Sequence, residues 1–187
     1  MKLPLLVKSG MLSGLLGTLL LSNIVMADSD NLPAVQVKWG DYKEFTDVKS
    51  ANESRKRFAQ RTFADLEKYI VKLASDLPKG HQLNIEVTDL DLAGRVLPAS
   101  FAGLGMHSAD SIRVIKQIDI PRIKFTYIYA DQDGVELKRD DVNIKDMSFL
   151  SRHNPVFRSD SLKYEKNMLR SWFNETVIPP KKESSFN

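Results

Sequence analysis

Residues 50–88 read SANESRKRFAQRTFADLEKYIVKLASDLPKGHQLNIEVT, and a change of period inside this stretch decides the fold. Up to Leu77, Phe58, Thr62, Phe63, Leu66, Ile70, Leu73 and Leu77 recur at three- and four-residue steps, with charges on the opposite face. That is the pattern of an amphipathic helix, and Pro78-Lys79-Gly80 stops it. From Gln82 to Thr88 the period falls to two, with Leu83, Ile85 and Val87 on one face, as in a half-buried strand. Ser50 and Glu53 have the spacing of a capping box, which predicts that the helix opens there.

Working outward, the phase of the strand flips beyond Thr88. Asp89 and Asp91 fall where apolar residues had been, and Leu90 and Leu92 fall on the other side. Either the strand ends near Thr88 or a bulge re-aims its side chains. Gly94 suits both outcomes, since it tolerates positive φ. Upstream, Ala34 to Trp39 alternates and reads as a first strand. Downstream, Pro98 to Asp110 reads as a long Gly/Ala/Ser-rich connection. Ser111 to Ile118 and Arg122 to Ala130 are strand-like, the second placing Ile123, Phe125, Tyr127 and Tyr129 on one face. Asp131-Gln-Asp-Gly134 reads as a hairpin turn into a strand from Val135 to about Ile144. A last helix is expected from about Ser161 to Phe173. The order β-α-β-β-β-α predicts an α+β fold: a largely antiparallel sheet of about four strands, with two main helices packed on one face.

The N-terminus carries Lys2 and Lys8, then a Leu-rich run from Met11 to Met26 that closes on Val25-Met26-Ala27. Charged start, apolar middle and small-residue exit make residues 1–27 a signal peptide, with cleavage expected after Ala27. The run is shorter than the roughly 20 apolar residues that a bilayer span needs, so no stable membrane anchor is expected after cleavage. Residues 28–33 read as a flexible lead-in, 34–178 as one domain and 179–187 as a disordered polar tail. The chain holds no cysteine, so it has no thiol to carry a lipid and no disulfide to brace the fold.

Removing residues 1–27 takes away Lys2 and Lys8 and no acid, so the formal charge falls from +3 to +1. Such a balance argues against nucleic acid as a partner.

Several stretches together carry a family likeness: Thr88-Asp-Leu-Asp-Leu-Ala-Gly94, Ile112-Arg113-Val114 with Ile120-Pro121-Arg122, and Leu162-Lys-Tyr-Glu-Lys-Asn-Met-Leu-Arg-Ser-Trp-Phe173. Phe45-Thr-Asp-Val48 and Asp146-Met147 also fit. They resemble the exported bacterial family catalogued as domain of unknown function 3016, over about Val35 to Phe173. The resemblance implies an envelope or secreted location in a Gram-negative cell. It supplies no catalytic residue, because the family is named for lacking a function.

Two constellations could carry chemistry. Asp89 and Asp91, two apart on an extended segment, suit a hard cation, but two acids are too few for a cage. The other reading has one capping a turn and the other paired with Arg95 or another arginine. Glu165 lies near the centre of the apolar stripe formed by Leu162, Met168, Leu169, Trp172 and Phe173. An acid aimed at a core is paired or has a raised pKa, which makes it either a buried partner of Arg113, Arg122 or Arg95 or a general acid in a cleft. His81, His107 and His153 lack zinc spacing and read as surface residues. Ala102-Gly-Leu-Gly105 lacks the lysine of a phosphate loop. Asp131-x-Asp133-Gly134 lacks the acid at the twelfth position of a calcium loop and is a turn. No metal site or cofactor motif is read. The leading expectation is a periplasmic or secreted, non-catalytic binding or accessory module of the envelope, engaging an envelope protein or a small ligand. The alternative is a small hydrolase or metal-dependent enzyme using Asp89, Asp91 and Glu165.

Overall fold

The computed structural model describes residues 33–102, 111–151, 156–157 and 159–178. The expected signal peptide, most of the lead-in and the tail lie outside these residues, as do His107, His153 and the glycines of the 102–105 segment. Strand β1 (Ala34–Trp39) leads into helix α1 (Arg55–Ala74), then β2 (Gln82–Asp91), β3 (Arg95–Pro98), β4 (Ser111–Val114), β5 (Arg122–Ala130) and β6 (Glu136–Lys145). Helix α2 (Lys163–Trp172) follows and continues into a π-turn at Phe173–Val177. The main sheet runs β1-β2-β5-β6, and β3 and β4 form a separate two-stranded ribbon. β2, β5 and β6 pair antiparallel, whereas β1 is parallel to β2. That parallel pair follows from α1, whose 20 residues carry the chain back along the sheet before β2 begins. The fold is therefore α+β, as the periodicities predict.

One face of the sheet is covered. Leu83, Ile85 and Val87 of β2 and Ile123, Phe125, Tyr127 and Tyr129 of β5 are all buried. They meet Leu66, Ile70 and Leu73 of α1 and Met168, Leu169 and Trp172 of α2 in one cluster. Trp172 stands edge-on to Phe125 and Tyr127, at 4.7 and 5.1 Å between ring centroids, and Trp39 stacks on Phe63 at 4.3 Å. The opposite face carries Gln36, Lys38, Glu86 and Thr126, the arrangement of an antiparallel sheet with one wet side.

The expectations resolve or change in several details. The helix opens at Ser54, not at a Ser50–Glu53 box: the Ser54 hydroxyl accepts the Arg57 N–H, while Ser50 accepts the Asn52 N–H and Glu53 pairs with Arg61. Replacing Ser54 with alanine removes that acceptor and is expected to cost about 1 kcal/mol in denaturant unfolding. Of the two readings of the phase flip, the bulge is the one found. The β2–β5 register shifts between Val87 and Asp89, which returns Leu90 to the buried face. Finally, Arg95–Pro98, just ahead of the expected 98–110 connection, is a strand, β3, because it pairs with β4 from Arg95↔Val114 to Pro98↔Ser111, and the strand expected over 111–118 stops at Val114. Gly94 makes the corner: its φ is +80°, and a Cβ there would stand 2.5 Å from the Val114 carbonyl oxygen. Among the described residues, no helix is long and apolar enough to cross a membrane.

Candidate functional site

The bulge in β2 determines where the acids go. Beyond it, the 46–48 segment lies alongside the strand end: the Asp47 N–H donates to the Leu90 carbonyl at 3.2 Å and the Leu92 N–H donates to the Asp47 carbonyl at 3.3 Å. This brings Asp47 beside Asp91, and it places Thr46 against Asp89. The Asp89 carboxylate accepts the Thr46 N–H at 2.8 Å and its hydroxyl at 3.0 Å, and it pairs with Lys124 at 3.2 Å. Burial works to raise its pKa, but the two Thr46 bonds and Lys124 outweigh it and hold Asp89 below the usual carboxylate range. Asp89 is thereby committed to holding the segment in place.

Arg113, from β4, ties the same corner from the other side. Its guanidinium donates to the Asp47 carboxylate at 3.0 Å and to the carbonyls of Ala93 (3.2 Å), Gly94 (3.0 Å) and Lys49 (2.8 Å). The planar fork of arginine can serve several acceptors at once, which an ammonium cannot. Arg95 pairs with Asp119 at 3.1 Å.

Asp91 differs from its neighbours. Among the described residues its carboxylate takes no hydrogen bond. It lines a groove of about 500 Å³ between the 46–49 segment, β3 and the chain leading into β5. Burial, then Asp47 and Asp89, push its pKa up, partly offset by Arg122 and Arg113. Lys49 and Arg122 line the same groove, and among the described residues neither makes an ion pair. The closed pairs Arg113–Asp47 and Arg95–Asp119 cancel locally. The groove therefore offers two cations that make no ion pair among the described residues, Arg122 acting on Asp91 only through space, and one carboxylate.

Glu165 sits elsewhere. It is 1 % exposed on α2 and accepts the Ala93 N–H at 2.8 Å through Oε1. Its Oε2 has no partner among the described residues. The expected arginine partner is not found: the Arg113 guanidinium is spent on Asp47 and the backbone, and Arg95 on Asp119. Arg113 acts on Glu165 only through space. Burial raises the pKa of Glu165, offset in part by the N–H bonds and Arg113, with Asp160 adding to the rise. Glu165 borders a separate cavity of about 250 Å³, lined also by Phe58, Thr62, Leu92 and Leu162. On α2 it is the buried Lys166 ammonium that forms ion pairs, with the more exposed Asp65 at 2.9 Å and Asp160 at 2.7 Å.

The six candidates named from the sequence thus gather at one end of the sheet but do not share one cavity. Asp91, Arg95 and Arg122 line the groove, Glu165 and Arg113 line the smaller cavity, and Asp89 lines neither. Asp47, Lys49 and Asp119 join the corner without having been marked by any spacing. Among the described residues, no group of three or more His, Asp or Glu could hold a metal ion. His81 leaves the surface role expected of it in part: its Nδ1 lies 2.7 Å from the Tyr129 hydroxyl.

No curated protein sequence matches the chain. Among solved structures, a minor lipoprotein from Acinetobacter baumannii aligns with 78% of this chain and 88% of its own. Its identity is 7% and its TM-score 0.26, a likeness too slight to transfer fold or role. The family described as "Protein of unknown function (DUF3016)" matches residues 33–175, from the residue before β1 into the π-turn. The chain belongs to the DUF3016 family.

Proposed function

We propose that the protein is a non-catalytic binding or accessory module of the cell envelope, exported through residues 1–27, and that it binds its partner in the groove beside Asp91. The observation that carries this reading is that Lys49 and Arg122, which make no ion pair among the described residues, line a groove of about 500 Å³ together with Asp91. Such a site suits a ligand or peptide segment with at least one anionic group, plus a donor for Asp91. The hydrolase alternative needs Asp89, Asp91 and Glu165 to converge, and these three are divided between the groove, the small cavity and a structural hydrogen-bond set. General acid–base work requires both groups within reach of one substrate.

A photo-crosslinking residue at Ile118, which is 81 % exposed on the rim of the groove, tests the proposal in living cells. A discrete adduct in the envelope fraction is expected, and Arg122→Glu should abolish it. An adduct that persists unchanged in that variant, or none at all, counts against the groove. A full-length chain that keeps Met1 and stays in the cytoplasm counts against export.

A further inference from the structure

The cavity of about 250 Å³ beside Glu165 is lined by α1, the 49–51 segment and the start of α2, apart from the groove beside Asp91. Its buried end is formed by Thr62 of α1, Leu92 and Ala93 after β2, and Leu162 and Glu165 at the start of α2. Two polar side chains interrupt this otherwise apolar end. Glu165, 1 % exposed, spends Oε1 on the Ala93 N–H, and its Oε2 has no partner among the described residues. Thr62, 3 % exposed, makes no side-chain hydrogen bond among the described residues. Buried polar groups are as a rule satisfied, and a mostly apolar lining with a few polar groups is the composition of a small-molecule site. The lining also sets the charge of what fits. Lys49, Arg61 and Arg113 stand around the cavity and Glu165 is its one acid, so an ammonium group would meet three cations. An anion gains little, because Arg61 and Arg113 are already paired with Glu53 and Asp47. An apolar cavity of about 150 Å³ takes benzene, so one of about 250 Å³ suits roughly ten non-hydrogen atoms.

We propose that this cavity is a second binding site, independent of the groove, for a small uncharged molecule with an apolar body and one carbonyl oxygen. The body packs against Phe58, Leu92 and Leu162, and the carbonyl oxygen accepts from the Glu165 carboxyl through Oε2 and from the Thr62 hydroxyl. The carboxyl donates only while it holds its proton, the form that burial favours. The charged groups around Glu165 are Arg113 of β4, Lys49 and Arg61 across the cavity, and Asp160 ahead of α2, itself paired with Lys166. Glu165→Gln separates the titration of Glu165 from all of these. The glutamine keeps an acceptor for the Ala93 N–H, and its amide N–H replaces the proton on Oε2 as donor.

Acetophenone, ethylbenzene and benzylamine make a matched set of probes: a carbonyl compound, its apolar counterpart and a cation. Each is titrated into the purified protein and followed through the backbone amide shifts of Leu92 and Ala93. In mild acid, acetophenone should bind more tightly than ethylbenzene by roughly two- to tenfold, the worth of one hydrogen bond, and benzylamine should not bind. As the pH rises through the raised pKa of Glu165, acetophenone should weaken towards the level of ethylbenzene. Glu165→Gln should keep acetophenone binding and lose its pH dependence, and Thr62→Val should weaken it by roughly two- to tenfold. Equal affinities for acetophenone and ethylbenzene, tighter binding of benzylamine, or no shift with any probe, as from a cavity that holds only water, would overturn the proposal. So would a pH dependence that survives in Glu165→Gln. The comparison of the three probes is made on the unsubstituted protein and needs no variant to fold. Its failure leaves the groove untouched, since the groove is read by the crosslink at Ile118.

Discussion

Arg113→Ala should unfold well before the unsubstituted protein, by about 3–5 kcal/mol in urea, the usual cost of removing one partner of a largely buried ion pair. The Arg113 and Asp47 side chains are 21 % and 15 % exposed, so solvent screens their pairing little. The change strands the Asp47 carboxylate next to Asp91 and leaves the Ala93, Gly94 and Lys49 carbonyls without their donor. For a domain of this size such a loss lowers the melting temperature by roughly 2–4 °C per kcal/mol. Arg113→Lys should recover only part of it, since one ammonium keeps the charge but cannot span four acceptors. A midpoint for Arg113→Ala within about 1 kcal/mol of the parent would mean that the corner is held by something else.

The second large effect concerns Glu165 and runs with pH. Because burial raises its folded-state pKa above the unfolded value, the folded protein holds the proton in a range where the unfolded chain has released it. Stability therefore falls as pH rises from the ordinary glutamate range, about 4.3, through the raised folded pKa, and is level above that. Each unit of the rise withdraws about 1.4 kcal/mol. Glu165→Gln keeps an acceptor for the Ala93 N–H and carries no proton to lose. It should match the parent in acid and exceed it at neutral and alkaline pH, and the difference between the two unfolding curves reads the Glu165 contribution alone. Glu165→Ala should instead destabilise at every pH, by about 1–3 kcal/mol for the orphaned Ala93 N–H, with the loss of packing added. If Glu165→Gln tracks the parent across the whole range, the carboxylate is not desolvated in the fold.

The legible part of this fold was the part governed by local period. The stripe from Phe58 to Leu77 gave α1, and the alternations at Leu83–Val87 and Ile123–Tyr129 gave the two central strands, because each pattern is complete within one element. The α2 stripe likewise showed Glu165 facing the core. The bulge was visible only as a choice, since a phase flip at Thr88 is what either a strand end or an inserted residue produces. β3 was hidden because Arg95–Pro98 is short, carries a proline and gains its pairing only from β4. The partner of Glu165 was misjudged for a related reason. Arg113, Arg95 and Arg122 are plausible partners by charge alone, but a backbone N–H at Ala93 leaves no trace in the side-chain pattern. Asp47 lies in the Phe45-Thr-Asp-Val48 stretch that carries the family likeness, yet nothing local ties it to Asp91 or to Arg113, 66 residues away.

The central claim is a division of labour at the end of the sheet. Arg113, Asp89 and Glu165 hold the fold, while Asp91, Lys49 and Arg122 line the groove proposed to take the ligand. The direct test is the yield of the Ile118 crosslink in Arg122→Glu set against that in Glu165→Gln. The division predicts that the adduct is lost in the first and kept in the second. Loss in Glu165→Gln with a normal yield in Arg122→Glu would contradict it, and would move the binding site to the cavity under α2.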